Sequence, residues 1–288
     1  MSDDRRADPV ENLELSPYAS RLGVVVEEVR ADSARIRIPY KDENSNPGKA
    51  LHGGVAASAI ELAGSLAAGS SGEKGRAVDL AVSYLAAAIG EDIVAEASVL
   101  RRGKSIVYTE VDVRNEGGKR IAKGLLTWRS LGSSSEEAGE PKKRSSRELS
   151  VGEGRVPDLA RALVRVPFIA RLGLVIEHME GGDSRIRLPA RPENLGEDGA
   201  ADEGALAALL DTTGAMAAWS VVGLDLRYKA STVGIHVSFH ERLPGEELLA
   251  FGRNLYREGV MFLDEVVVAG ARSGVVAATG SVTYRIVT

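Results

Sequence analysis

Two short stretches carry residue types suited to chemistry. In "LHGGVAASAIELAG", residues 51–64, His52, Gly53 and Gly54 lead into an apolar run that holds a single acid, Glu61. In "ALLDTTGAMAAW", residues 208–219, Asp211 is followed by Thr212 inside a similar run. A helix that opens on glycines presents backbone N–H groups at the positive end of its dipole, where they stabilise negative charge on a carbonyl oxygen. A carboxylate can attack the carbonyl carbon or draw a proton from water. Spacing limits which acid can serve which glycine. Gly53 and Glu61 are eight residues apart, roughly 12 Å on one helix at about 1.5 Å per residue, so both cannot touch one carbonyl group. By motif alone, the same residues fit a glycine-rich helix entry with a solvated acid.

The elements that must position these residues occur twice. "PYASRLGVVVEEVRADSARIRIP" at 17–39 aligns without a gap with "PFIARLGLVIEHMEGGDSRIRLP" at 167–189, an offset of 150. At the same offset His52-Gly53-Gly54 falls on Asp202-Glu203-Gly204, Glu61 on Asp211, and Asn46 on Gly196. "AVDLAVSYL" from Ala77 matches "TVGIHVSFH" from Thr232 after a small change of register. Each copy reads as two short strands, a polar loop, an apolar helix (about Gly54–Ala68, and Gly204–Ser220) and a strand meander. In the first copy the meander strands are expected at Asp79–Leu85, Ile93–Arg101, Ser105–Arg114 and Ile121–Ser130. One long apolar helix with antiparallel strands argues an α+β class in which the sheet wraps the helix. The expected organisation is a flexible N-terminus at 1–12, one unit at 13–130, a linker at 131–158 rich in Ser, Gly and charge, and a second unit at 159–288.

Composition narrows the function classes. With 44% hydrophobic and 27% charged residues, the chain reads as soluble and globular. Its net charge of −5 offers no basic face for nucleic acid. No cysteine is present, which removes disulfides, thiolate metal sites and cysteine nucleophiles. The absence of a secretion signal or a long uninterrupted apolar run in this sequence leads to the expectation of a cytoplasmic protein without a membrane segment. His236, Ser238 and His240 alternate along one strand face, and two histidines without a third ligand argue an outer sheet face or subunit contact rather than a metal site.

"NPGKALHGGVAASAIELAG", "ALLDTTGAMAAW" and "TVGIHVSFHERLPGEELLAFGRN" together resemble the hotdog-fold acyl-CoA thioesterases, most closely the PaaI-like (phenylacetyl-CoA thioesterase) family. The resemblance covers both copies and implies a tandem double-hotdog chain, its two units paired as a pseudo-dimer. It implies hydrolysis of an acyl-CoA thioester, with no cofactor, since the CoA ester is the substrate. In that family the glycine turn and the acid come from opposite units, which the 12 Å separation supports. The expected working site is therefore crossed, with His52, Gly53 and Gly54 facing Asp211, and with Thr212 beside it as in the Asp-Thr pair common in the family. Asn46 is either the asparagine that the family often places near the thioester or a turn former. The other crossed site pairs Glu61 with Gly204, where Asp202 and Glu203 put negative charge in the way of an oxyanion, so it is expected to be degenerate. Arg102, Lys104 and Arg257 stand at turns where CoA phosphates could dock, or are solvated hairpin charges. The choice of nucleophile or general base stays open, as do the acyl group and a possible homodimer. The alternative function is a non-catalytic acyl-CoA-binding or regulatory protein.

Overall fold

A computed structural model describes residues 14–131, 154–163, 165–225 and 227–288. The first copy runs α1 (Pro17–Leu22), β1 (Val25–Arg30), β2 (Ser33–Ile38), α2 (Gly53–Gly69), β3 (Gly75–Tyr84), β4 (Ile93–Arg102), β5 (Ile106–Asn115) and β6 (Arg120–Ser130). After α3 (Asp158–Leu163) the order repeats as α4 (Pro167–Leu172), β7 (Val175–Glu180), β8 (Asp183–Leu188), α5 (Glu203–Val222), β9 (Lys229–Phe239), β10 (Leu248–Glu258), β11 (Met261–Gly270) and β12 (Val276–Val287). The expected N-terminal stretch at 1–12, and the linker from 132 to 153, lie outside the described residues.

The strands form one antiparallel sheet in the order β1-β2-β4-β5-β6-β3-β9-β12-β11-β10-β8-β7, which reads alike from either end once the repeat is applied. The two halves meet at β3 and β9, where Leu80 faces Val237 and Ala81 faces His236. Since Ala77 aligns with Thr232, Ala81 aligns with His236, and this pair marks the pseudo-twofold axis. On the outer face there, His236 Nε2 lies 3.0 Å from Asp79, and Ser238 Oγ donates to the same carboxylate at 3.1 Å. The alternating polar residues of β9 thus join the halves. Among the described residues no group of three or more His, Asp or Glu could hold a metal ion.

α2 and α5 pack on the inner face of the sheet and against each other. Burial all round explains why neither helix has a polar stripe: α5 buries every residue from Gly204 to Trp219. α5 is long and apolar enough to cross a membrane by composition, yet 83% of that stretch is covered by the protein's own atoms. Packing is close enough to need glycine at the crossing. A methyl group on Gly54 would sit 2.6 Å from Ala208 Cβ.

The short helices α1 and α4 were not foreseen in "SPYASRLG" and "VPFIARLG". Their signals are local. Ser16 Oγ accepts from Ala19 N at 3.0 Å, proline occupies the first turn of both, and Gly23 (φ 82°) and Gly173 (φ 69°) end them in the left-handed region. These helices close the N-terminal ends of α5 and α2, and through that position they shape the sites.

Candidate active site

His52 caps α2: its Nδ1 accepts from Gly54 N at 3.0 Å, while its carbonyl accepts from Val55 N. The ring stacks on Phe168 of α4, with centroids 4.6 Å apart, so the second copy clamps a residue of the first. Burial holds the imidazole down at about 4, and a neutral ring that accepts through Nδ1 carries its proton on Nε2. His52 N donates to the backbone oxygen of Asn44, a buried residue of the preceding loop. With Gly54 N–H given to histidine, the first-turn donor that no described residue uses is Gly53 N–H.

Asp211 approaches the same glycine from α5. It is 2% exposed, and Thr232 Oγ1 of β9 donates to its Oδ1 at 2.6 Å. Its other oxygen lies 3.9 Å from His52 Nδ1 and 2.9 Å from where a Gly53 side chain would begin. Glycine is thus required at 53 because the carboxylate occupies the space of a Cβ. Burial pushes the Asp211 carboxyl up to about 6, against the lowering pull of the Thr232 hydrogen bond. Tyr84, at the end of β3, donates to Gly53 O at 3.1 Å and closes the third side. Burial, then the charge of Asp211, raise Tyr84 well above its usual range, keeping it a neutral donor.

The structure brings together His52, Gly53, Gly54 and Asp211, with the acid from the opposite copy. Thr212 does not join them: its hydroxyl bonds back to Ala208 O at 2.8 Å, the standard refuge of threonine within a helix. The hydroxyl on Asp211 is that of Thr232. Asn46 forms a turn, its Oδ1 accepting from Gly48 N (2.8 Å) and Ala50 N (3.2 Å). Arg102 bonds Asp32 and, at 2.8 Å, Ala68 O, so it closes the far end of α2. That end is fifteen residues, roughly 22 Å, from Gly53. Arg257 donates to Gly259 O and lies over the Phe262 ring, and Lys104 is exposed in a turn. None of these three is hydrogen-bonded or ion-paired to the His52 cradle.

Sequence reasoning passed over Thr232, Tyr84, Phe168 and Asn44. Thr232 opens the strand already matched between the copies, and position gave the only hint, because a threonine in a strand is ordinary.

The site related by the pseudo-twofold keeps the scaffold and adds acids. Asp202 caps α5, accepting from Gly204 N at 2.9 Å and from Ser16 Oγ at 2.7 Å. Glu203 replaces Gly53. Glu61 is 7% exposed and accepts from Ser65 Oγ at 2.8 Å. Burial, then Glu203 and Asp202, raise Glu61 well above the ordinary carboxylate range, and burial followed by Glu203 lifts Asp202 to about 6. Arg242, from the loop after β9, pairs with Glu203 and with Asp198 (2.7 Å). Gly196 stands where Asn46 stands in the first copy, and a side chain there would meet Arg242 within 2.9 Å. The second copy thus replaces an asparagine turn with a guanidinium that offsets its extra acids.

The buried Glu61 has a stability signature. The folded protein holds its proton above the pH at which the unfolded chain has lost it, so stability falls as pH rises past about 4.5. Glu61→Gln is expected to melt about 2–4 °C higher than wild type at pH 8, and the gap should close near pH 4 in a pH series of thermal melts. An unchanged gap at both pH values would mean that Glu61 is ionised and satisfied in the fold.

Residues 48–122 match the family model described as the thioesterase superfamily. A candidate esterase of Saccharolobus solfataricus is 32% identical over 109 residues, covering 37% of this chain and 78% of that protein. Human acyl-coenzyme A thioesterase 13 is 38% identical over 91 residues, covering 30% of this chain and 65% of its own. Over nearly the full length, a TesB protein of Mycobacterium avium subspecies paratuberculosis superposes with a TM-score of 0.66 at 14% identity, covering 91% of this chain and 96% of that one. A hotdog-fold protein from Alicyclobacillus acidocaldarius superposes with a TM-score of 0.64 at 17% identity, covering 96% and 99%. At such identities the structural matches speak for the tandem fold alone.

Proposed function

The chain belongs to the thioesterase superfamily and is a thioester hydrolase, and on that premise we propose that it cleaves acyl-CoA at one crossed site. The observation that carries this reading is the buried Asp211 carboxylate of one copy set 2.9 Å from the Cβ position of Gly53, at the N-terminus of α2 in the other. The thioester carbonyl oxygen points at Gly53 N–H and the α2 N-terminus, and the charge that develops on it is met by a fixed donor and dipole. Asp211 acts in one of two ways. It takes a proton from water, whose oxygen attacks the carbonyl carbon, and the C–S bond breaks to release CoA as a thiolate that is then protonated. Alternatively its oxygen attacks directly, the thiolate leaves, and water opens the mixed anhydride. His52 keeps the glycine turn in place rather than moving a proton, because its Nδ1 is held by Gly54 and its ring is covered by Phe168.

The acyl group would lie along α5. Met216 and Trp219 follow Asp211 on that helix, and Trp219 Nε1 donates to Tyr284 Oη at 3.3 Å while its ring stacks on Tyr228. Tyr284 stands opposite Thr232 in the sheet, next to the residue that holds Asp211. These aromatic walls favour aryl or medium-length acyl chains.

The test is a hydrolysis panel of short, long and aromatic acyl-CoAs read with a thiol reagent. The protein contains no cysteine, so released CoA is the sole thiol present. Turnover of at least one class is expected; tight binding of all of them without release of thiol would overturn the reading in favour of a binding protein.

Asp211 must be ionised in either route, so kcat/KM should fall as pH drops through about 6. Thr232→Val removes a hydrogen bond to the charged form and should move this acid limb upward, with a smaller effect on the rate at high pH. A limb unmoved in Thr232→Val would separate the titrating group from Asp211.

A further inference from the structure

Arg21, Lys41 and Arg171 line one groove together with Glu43, Pro167 and Ala170. Arg21 and Arg171 hold the same place in the two repeats, each followed by Leu-Gly, and lie close enough for each charge to act on the other.

Several surface arginines are paired with carboxylates. Arg35 and Arg37 share Glu27, Arg185 and Arg187 share Glu177, Arg102 has Asp32, and Arg253 has Asp183. Among the described residues, no carboxylate lies within ion-pair distance of Arg21, Lys41 or Arg171, and Glu43 acts on Arg171 only from farther away. Arg171 does spend one N–H on Asn44 Oδ1 at 2.8 Å. Its repeat mate Arg21 gives none to Asn194, whose buried Oδ1 has no partner. Lys41 lies with Nζ over Gly23, at the carbonyl end of α1. Three like charges gathered against one acid that forms no ion pair with them, in a chain of net charge −5, leave a fork of donors for an anion.

We propose that this groove binds phosphate groups, and that the ligand bearing them is the CoA portion of the substrate. The inference rests on the acyl-CoA reading above. The groove and the thioester cradle share a wall. Phe168, which covers His52, is on the same helix as Arg171, and Asn44, which accepts from Arg171, also holds His52 N through its backbone oxygen. The pantetheine arm spans this wall, leaving the acyl end at Gly53 and the phosphates among the guanidinium groups. Arginine suits this role because its planar fork matches two phosphate oxygens at once.

The test compares one acyl group carried on CoA and on pantetheine, which lacks phosphates, in wild type, Arg21→Gln and Arg21→Gln/Lys41→Gln. Arg21 makes no hydrogen bond within the described protein, so Arg21→Gln carries little risk to folding. The kcat/KM ratio of CoA ester to pantetheine ester should fall about tenfold in the double variant, and the difference should shrink in high salt. A ratio that stays at the wild-type value would overturn the proposal. Calorimetric titration with CoA and with inorganic phosphate keeps the two readings apart. Should no ester be hydrolysed, CoA binding that weakens in Arg21→Gln would still support the groove while the catalytic reading fails. CoA binding equal in wild type and variant, or no tighter than inorganic phosphate, would overturn it.

Discussion

Asp211→Asn is expected to lower thioester hydrolysis about a thousandfold or more, with the fold intact. Asparagine has the shape of the acid and can keep the hydrogen bond from Thr232 through its amide oxygen, but it neither attacks a carbonyl nor accepts a proton from water. Removing a buried carboxylate held above its ordinary range also relieves desolvation, so the variant should melt no lower than wild type at neutral pH. Glu61→Gln should retain activity to within about twofold, because Glu61 faces Asp202 and Glu203 rather than a free glycine donor. Loss of activity in Glu61→Gln alone would reverse the assignment of working and degenerate sites. The paired measurement matters because each helix carries one acid at the same place in the repeat.

Gly54→Ala is expected to cost about 2–3 kcal/mol of stability, lowering the melting temperature by about 5–10 °C. The added methyl would sit 2.6 Å from Ala208 Cβ and 3.0 Å from Ala208 Cα, so α2 and α5 would have to separate along their crossing. No flexible side-chain end is available there to yield. Gly53→Ala is the control in which position separates the two costs. Its methyl meets the Asp211 oxygen at 2.9 Å instead of a helix backbone, so it should take activity and leave the melting temperature within about 2 °C of wild type. The corresponding change in the other copy, Gly204→Ala, meets Ser58 Oγ at 2.8 Å and Ser58 Cβ and Tyr18 Cε1 at 2.9 Å, so it should destabilise in the same direction as Gly54→Ala. Equal melting temperatures for Gly54→Ala and wild type would show that the two helices do not cross as closely as described.

Much of the fold was legible because its signals are local and doubled. The two copies align over long stretches, and the uniformly apolar helices could lie only between other elements. Strand boundaries came close for β4, β5 and β6, whereas β3 begins at Gly75, four residues earlier than its pattern suggested. The extra residues have mixed burial because they pass a bulge between Ala77 and Asp79, which breaks the period-two pattern. The helices α1 and α4 carried clear caps and were hidden only by their brevity.

The sequence by itself determined the duplication, the α+β class and the residues His52, Gly53, Gly54 and Asp211. It also determined that Gly53 and Glu61 cannot serve one carbonyl, since helical rise alone keeps them apart. Only the tertiary structure decided which hydroxyl serves Asp211. Thr212 is its neighbour in the chain, yet helical geometry turns that hydroxyl back to Ala208, and Thr232 arrives from a strand 21 residues away. Tertiary structure likewise gave Gly54 N–H to His52 and left Gly53 N–H unspent, withdrew Arg102 to the far end of α2, and gathered Arg21, Lys41 and Arg171 into one groove. The physical reason is common to all of these. Periodicity and propensity record which face of an element is buried, whereas the partner of a polar group is set by whatever the remaining chain brings within hydrogen-bond distance.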